Sequence, residues 1–214
     1  MDGRLDTSQL FTALREQVRN NFAGFLTAVV CLVLAQLFAD NYMQRSSFFF
    51  SSMISLFAQY YITRTALMRA GVMIDGVGNK FFSFWGMSII SGLLILLGCV
   101  LLIIPGVYLA ARWFVAGPAL IAEDKTATEG MTESWELLQP SVWHVAGALV
   151  VLYGCGFGLG ALPFFLVPEE SAPLSIQAIS ALFMTTTSVL GWLMSVGIYT
   201  AVAHPERTLE EVFA

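Results

Sequence analysis

The apolar positions of this chain run in long blocks, and short polar stretches separate them. Residues 1–20 alternate instead. Leu10, Leu14 and Val18 recur at i, i+4 and i+8 with Phe11 beside them, while Arg15, Glu16 and Arg19 take the other face. This pattern predicts an amphipathic helix over about 8–20, capped by Asp6, Thr7 or Ser8 and lying in a membrane interface. Apolar blocks then predict spans at about 22–38, 47–68, 81–104, 107–122, 142–167 and 176–203. The second is the least apolar, with several serines, Gln59, Thr63 and Arg64, so it should face other helices. The third should stop at a tight Pro105-Gly106 turn, making a hairpin with the fourth, which carries Arg112 and Pro118. Residues 126–139 predict a second interfacial helix. Thr126 and Glu129 have capping-box spacing, Ala127, Met131, Trp135 and Leu138 share a face, and Pro140 closes it. A polar turn, Pro168 to Pro173, joins the last two spans, and an acidic tail follows them.

Composition turns this pattern into a class. Of 214 residues, 57% are hydrophobic and 12% charged, about half the charge of a soluble domain. That leaves too little polar material to wet a globular surface and far too much apolar material for disorder. The net charge of −5 argues against nucleic acid as a partner. The expected fold is all-α: a single polytopic membrane bundle over 1–214, about six transmembrane helices with two interfacial ones. The first span is read as a retained anchor, since no small-x-small cleavage site follows it. Cys31, Cys99 and Cys155 lie in apolar blocks as small hydrophobes, outside any Cys-x-x-Cys pair.

Basic residues set the expected orientation. Arg4, Arg15, Arg19, Arg69, Lys80, Lys125 and Arg207 fall on one side and only Arg45 on the other. Both termini are therefore expected in the cytoplasm of a bacterial inner membrane, with Trp85, Trp135 and Trp143 as an aromatic belt on that face.

Two segments carry a family resemblance. Leu101 to Trp113 reads LLIIPGVYLAARW, and Glu133 to Leu137 reads ESWEL. Together they resemble the membrane domain of glycerophosphoryl diester phosphodiesterases, and related six-helix bacterial inner-membrane proteins of unassigned function. In the full-length enzymes a separate soluble barrel carries the metal-dependent chemistry. The resemblance thus implies the membrane module without the hydrolase, with Pro105, Gly106, Arg112, Ser134, Trp135 and Glu136 as motif positions.

Candidate chemistry is sparse. Arg112, inside an apolar block, would bind an anionic lipid headgroup or phosphate, snorkel to the outer interface, or pair with Asp40. Ser134-Trp135-Glu136 would either anchor the interfacial helix or dock a protein partner at the cytoplasmic face, with Arg69 a candidate partner for Glu136. Gly154, Gly156, Gly158 and Gly160 give two Gly-x-x-x-Gly spacings. They suit close helix packing, or a broken helix near a substrate, with Pro163 adding a kink. Asp75 to Lys80 lacks the spacing of a nucleotide loop and reads as a turn. His144 and His204 have no companion at ligand spacing, and His144 reads as an interfacial residue, so no metal or cofactor is expected. Asp40, Glu123, Glu169 and Glu170 all sit near span ends, which weighs against ion-coupled transport. The first expectation is a non-catalytic scaffold that organises lipids or partners. The alternative is a transporter or channel for a small solute or lipid, and the weakest is a lipid-modifying enzyme. A cavity lined by the second and fifth spans would favour transport; a solid bundle would favour the scaffold.

Overall fold

The computed structural model describes residues 5–43, 46–74, 77–165, 167 and 172–204, and among these it is all-helical. The expected 168–171 part of the polar turn, the acidic tail, Asp75-Gly76, and the orienting residues Arg4, Arg45 and Arg207 lie outside the described residues.

Helix α1, Thr7–Asn20, starts at Asp6, whose backbone N–H donates to Gln9 Oε1 at 2.8 Å. Its apolar stripe buries Leu10 and Leu14, and Gln17 extends the stripe where Val18 was expected. Asn21 turns the chain into α2, Phe22–Tyr42, one turn longer than the expected span. Helix α3, Ser47–Arg69, returns beside it.

The third and fourth expected spans need correction. Helix α4 ends at Leu101, Leu102 is extended (φ −159°, ψ 134°), and α5 begins at Ile103. Pro105 and Gly106 therefore sit in the first turn of α5 and are not the turn between helices. Proline is tolerated there because first-turn N–H groups have no intrahelical acceptor. Gly106 is required for a different reason. A Cβ there would lie 2.1 Å from Cys99 Sγ and 2.6 Å from its backbone nitrogen, so α4 and α5 cross almost backbone to backbone. The fourth span is also broken. Helix α5 stops at Arg112, three residues intervene, and α6 runs Ala116–Ala122 with Pro118 again in a first turn.

Helix α7, Ala127–Leu137, has the expected capping box: Thr126 N donates to Glu129 Oε2 at 2.9 Å. Leu138 of the expected face is fully buried and Ala127 and Met131 pack on the core, while Gly130 and Ser134, one position before Met131 and Trp135, make the deepest contacts. A short 3₁₀ turn, Gln139–Ser141, leads into α8, Val142–Ala161. A second, Leu162–Phe165, holds Pro163, which thus ends α8 and does not kink it. Helix α9, Leu174–Ala203, is the last helix among the described residues.

Five segments among the described residues are long and apolar enough to cross a membrane: α2, α4, the broken α5–α6 pair, α8 with its flanking turns, and α9. Helix α3 has the length but not the hydropathy, because serines, Gln59, Thr63 and Arg64 interrupt it.

Burial is uneven along the helices, and several present aliphatic side chains outward. Helix α6 is buried at every position, and α9 from Gly191 to Tyr199. Helix α4 buries only Phe84, Met87 and Gly98, leaving Leu93, Leu96 and Val100 more than half exposed. Such a contiguous aliphatic surface is unsuited to water. Inside, small residues set the helix spacing. At Gly156 a Cβ would meet Thr187 Oγ1 at 1.9 Å and Thr187 Cβ at 2.7 Å, and at Gly160 it would meet Met184 Cγ at 2.8 Å. Gly154 and Gly158 have open space. One of the two Gly-x-x-x-Gly pairs, 156/160, is therefore the α8–α9 contact.

This separation gives a paired prediction. Gly156→Ala should destabilise by about 2 kcal/mol, because rotating Thr187 does not move its Cβ away. Gly154→Ala should be neutral or stabilise by up to about 1 kcal/mol through helix propensity. Unfolding by SDS titration in mixed micelles would measure both; equal effects would contradict the assigned packing face.

Candidate functional site

Arg112 is 7% exposed, yet it faces neither lipid nor Asp40. Its Nε donates to Tyr108 Oη at 2.9 Å, one helical turn earlier, and its Nη1 to the Trp135 carbonyl at 2.8 Å. The guanidinium carbon lies 4.5 Å from the Trp135 ring centre and 5.3 Å from that of Tyr108. Planar, delocalised charge suits stacking of this kind better than an ammonium would. Ser134 Oγ then donates to the Arg112 carbonyl at 2.7 Å, satisfying a group left open at the end of α5. The expected Arg112–Asp40 pair is therefore replaced: Asp40 is exposed and accepts from Gln36 Nε2 at 2.9 Å.

The motif residues gather around this point. Trp113 and Trp135 rings lie 6.1 Å apart, and Tyr108 sits 5.9 Å from Trp135 and 5.8 Å from Trp143. Pro105 and Gly106 belong to the α4–α5 crossing described above. Glu136 is exposed and does not meet Arg69, which donates to Asn21 Oδ1 at 3.0 Å. Trp135 is thus a wall of the Arg112 cage.

A second polar cluster lies where α6 and α9 end. Lys125 Nζ sits 2.7 Å from Glu123 Oε2 and also bonds Glu133; Tyr199 Oη donates to Glu123 Oε1 at 2.6 Å. Burial pushes the Glu123 carboxyl up, but the bonds from Lys125 and Tyr199 outweigh it and hold it below the usual carboxylate range. For Glu133, burial and the neighbouring Glu123 charge prevail over Lys125 and push the carboxyl up. Beside this cluster, Lys80 pairs with Asp124 at 2.9 Å, and Asp124 adopts a left-handed φ of 55°. Arg64 is anchored too, donating to Tyr60 Oη at 3.1 Å and the Val77 carbonyl at 3.2 Å.

The third feature is a cleft of about 400 Å³ between α3, α4, the α5–α6 break, α8 and α9. Two features help to keep it open. Helices α3 and α4 are joined at one end by aromatic stacking, with Phe57 and Phe81 rings 4.2 Å apart and Tyr60 against Phe84 at 5.7 Å. The α5–α6 break then removes one straight helix from the middle of the bundle. Polar side chains from four helices line the space: Gln59 and Thr63 from α3, Ser88 and Ser91 from α4, Tyr153 from α8, and Ser195 from α9 beside Trp192. The serines donate to carbonyls of their own helix. Among the described residues Gln59, Thr63 and Tyr153 have no such intramolecular hydrogen bond, and Thr63 is 1% exposed. Gly191 admits Tyr153: a Cβ there would lie 2.0 Å from the phenol oxygen.

The polar character of α3 signalled Gln59 and Thr63 in advance. Tyr153, Trp192 and the Glu123–Lys125–Glu133–Tyr199 cluster had no sequence signal, being united only by tertiary packing. Among the described residues no group of three or more His, Cys, Asp or Glu could hold a metal ion. Comparison with protein-family models, curated proteins and solved structures finds no match for this chain.

Arg112→Ala should cost about 3 kcal/mol, combining a lost charge-assisted bond with lost cation–π contact. Ser134→Ala should cost about 1 kcal/mol. Thermal unfolding of the detergent-solubilised protein would read both, and a neutral Arg112→Ala would refute the cage as a structural lock. For Glu123, a carboxyl lowered in the fold adds stability above its ordinary pKa and loses it as pH falls through the lowered value. Glu133, raised in the fold, acts oppositely, losing its contribution as pH rises through the raised value. Glu123→Gln should therefore lessen the fall in unfolding midpoint between about pH 6 and about pH 3.

Proposed function

We propose that this chain is a non-catalytic multi-pass membrane protein that carries or passes a small solute through its helical bundle. The observation that supports this reading over a scaffold is the central cleft with Gln59, Thr63 and Tyr153 facing it unpaired. Its volume of about 400 Å³ is that of a small-molecule site. A solute or water in the cleft would hydrogen-bond to these groups. A purely scaffolding bundle has no need of such groups at its centre.

The polarity of α3 fits this role and makes it the sixth span of the proposed topology. Its 23 residues extend about 34 Å, enough to cross a hydrocarbon core. With six spans, the excess of arginine and lysine on one side supports cytoplasmic termini in a bacterial inner membrane. Lipid contact is the proposed role of the exposed aliphatic face of α4. The likeness of residues 101–113 and 133–137 to the phosphodiesterase membrane domain enters here as support for a membrane module. Three of its motif positions, Arg112, Ser134 and Trp135, form the cage, so we propose that they hold the fold around the cleft and do not bind phosphate.

Reconstitution in liposomes tests the reading. The wild-type protein should release an entrapped panel of small solutes (glycerol, urea, glycine and phosphate) selectively, with at least one member escaping faster than from protein-free vesicles. Gln59→Leu removes hydrogen bonds worth about 1 kcal/mol each and should slow that release about fivefold. Release of no member of the panel would overturn the proposal.

A further inference from the structure

We infer that the protein's solute is small, uncharged and hydrogen-bonding, and that it moves along the α3–α9 seam through two chambers separated by Trp192. The inference rests on the reading of the cleft as a solute site.

Helix α3 carries Ser51, Ser55, Gln59 and Thr63 at four-residue spacing, which places them on one face. The stripe extends about 18 Å along the helix axis. The first two line a smaller chamber of about 130 Å³, and the last two line the larger cleft. Helix α9 follows the same order. Thr185 and Ser188 border the smaller chamber, Ser195 the larger, and Trp192 borders both. The two helices are parallel: each is antiparallel to α2, and Asn41 near the end of α2 bonds Gln177 near the start of α9 at 3.2 Å. The chambers therefore follow one another along a single seam, and the half-buried stripe of α3 is their common wall.

Trp192 is 8% exposed and packs with Val29, Leu32 and Val189 on its apolar side. Its indole occupies the place where the two chambers would join. A large planar side chain there closes the seam, and a change of rotamer is the least movement that opens it. Trp192 has a neighbour that makes this position special: Gly191 gives its own space to the Tyr153 phenol, so the larger chamber is shaped right up to the barrier.

The lining chemistry selects the solute. Neither chamber is bordered by an aspartate, glutamate, lysine, arginine or histidine. An ion inside would lose hydration with no opposite charge to replace it, a cost of several kcal/mol in a membrane interior. A neutral polyol or amide meets hydroxyls and a carboxamide instead. The smaller chamber also holds an unspent group: Ser51 Oγ is buried with no hydrogen-bond partner among the described residues.

Proteoliposomes loaded with glycerol, or separately with potassium chloride, test the route by stopped-flow light scattering and ion-selective electrodes. The wild-type protein should pass glycerol and retain both ions. Trp192→Ala should speed glycerol release about tenfold, and Trp192→Phe should keep it within about twofold of wild type, since a second aromatic ring preserves most of the barrier. Should Trp192→Ala fail to fold, the double variant Ser51→Ala, Ser55→Ala alters only the smaller chamber and should slow glycerol about fivefold. Ions leaving as fast as glycerol would overturn the uncharged-solute inference. Glycerol release that depends on Gln59 but is unmoved by Trp192→Ala, or by the serine pair, would overturn the two-chamber route while leaving the solute-site reading intact. No release of any probe from wild-type vesicles would fail both.

Discussion

A guanidinium inside an apolar bundle must be satisfied from every side, and the way Arg112 meets that demand organises much of the fold. Its two donated bonds and two aromatic faces come from α5 and α7, and Ser134 of α7 closes the last carbonyls of α5. Helix α7 is thereby held along the broken α5–α6 pair, where Gly130 fits against Ala116 and Leu120 with no room for a side chain. A buried charge held this way is a strong lock, because removing its partners leaves it uncompensated inside the bundle.

Small residues set the other close contacts. Gly98, Gly106, Gly156, Gly191 and Gly197 each face an atom of another helix, or of the facing arm of a hairpin, at a distance that excludes or crowds a Cβ. Close approach strengthens dispersion contacts. Around the cleft the reverse holds. There the α5–α6 break and the α3–α4 aromatic stack leave a gap, where polar side chains collect.

Sequence patterns made the helices legible because long apolar blocks and amphipathic stripes report directly on burial. They misplaced the boundaries at Leu102 and at Trp113 to Val115, where the conformation is set by how α4, α5 and α7 meet. Proline and glycine at 105 and 106 looked like a turn. They serve instead as a first-turn residue and a crossing point, a distinction that depends on the position of Cys99. Arg112 was visible as an outlier in an apolar block, but its partners were not, since aromatic residues at 108 and 135 meet it only through folding. The candidate cleft was half legible. Gln59 and Thr63 break the hydropathy of α3, whereas Tyr153 and Trp192 are unremarkable in sequence among so many apolar neighbours.

Helix α1 rests on α9 with the Ala13 carbonyl 2.9 Å from the position of a Gly197 Cβ, and Leu5 N donates to Ser141 Oγ at 2.7 Å. Helix α1 is therefore completed by α9, which follows it in synthesis. A ribosome adds about 5–20 residues per second, so α1 waits on the order of ten seconds or more for this partner. During that interval Leu10 and Leu14 lack the α9 surface that packs on their helix, so the amphipathic segment stays unsealed until α9 arrives.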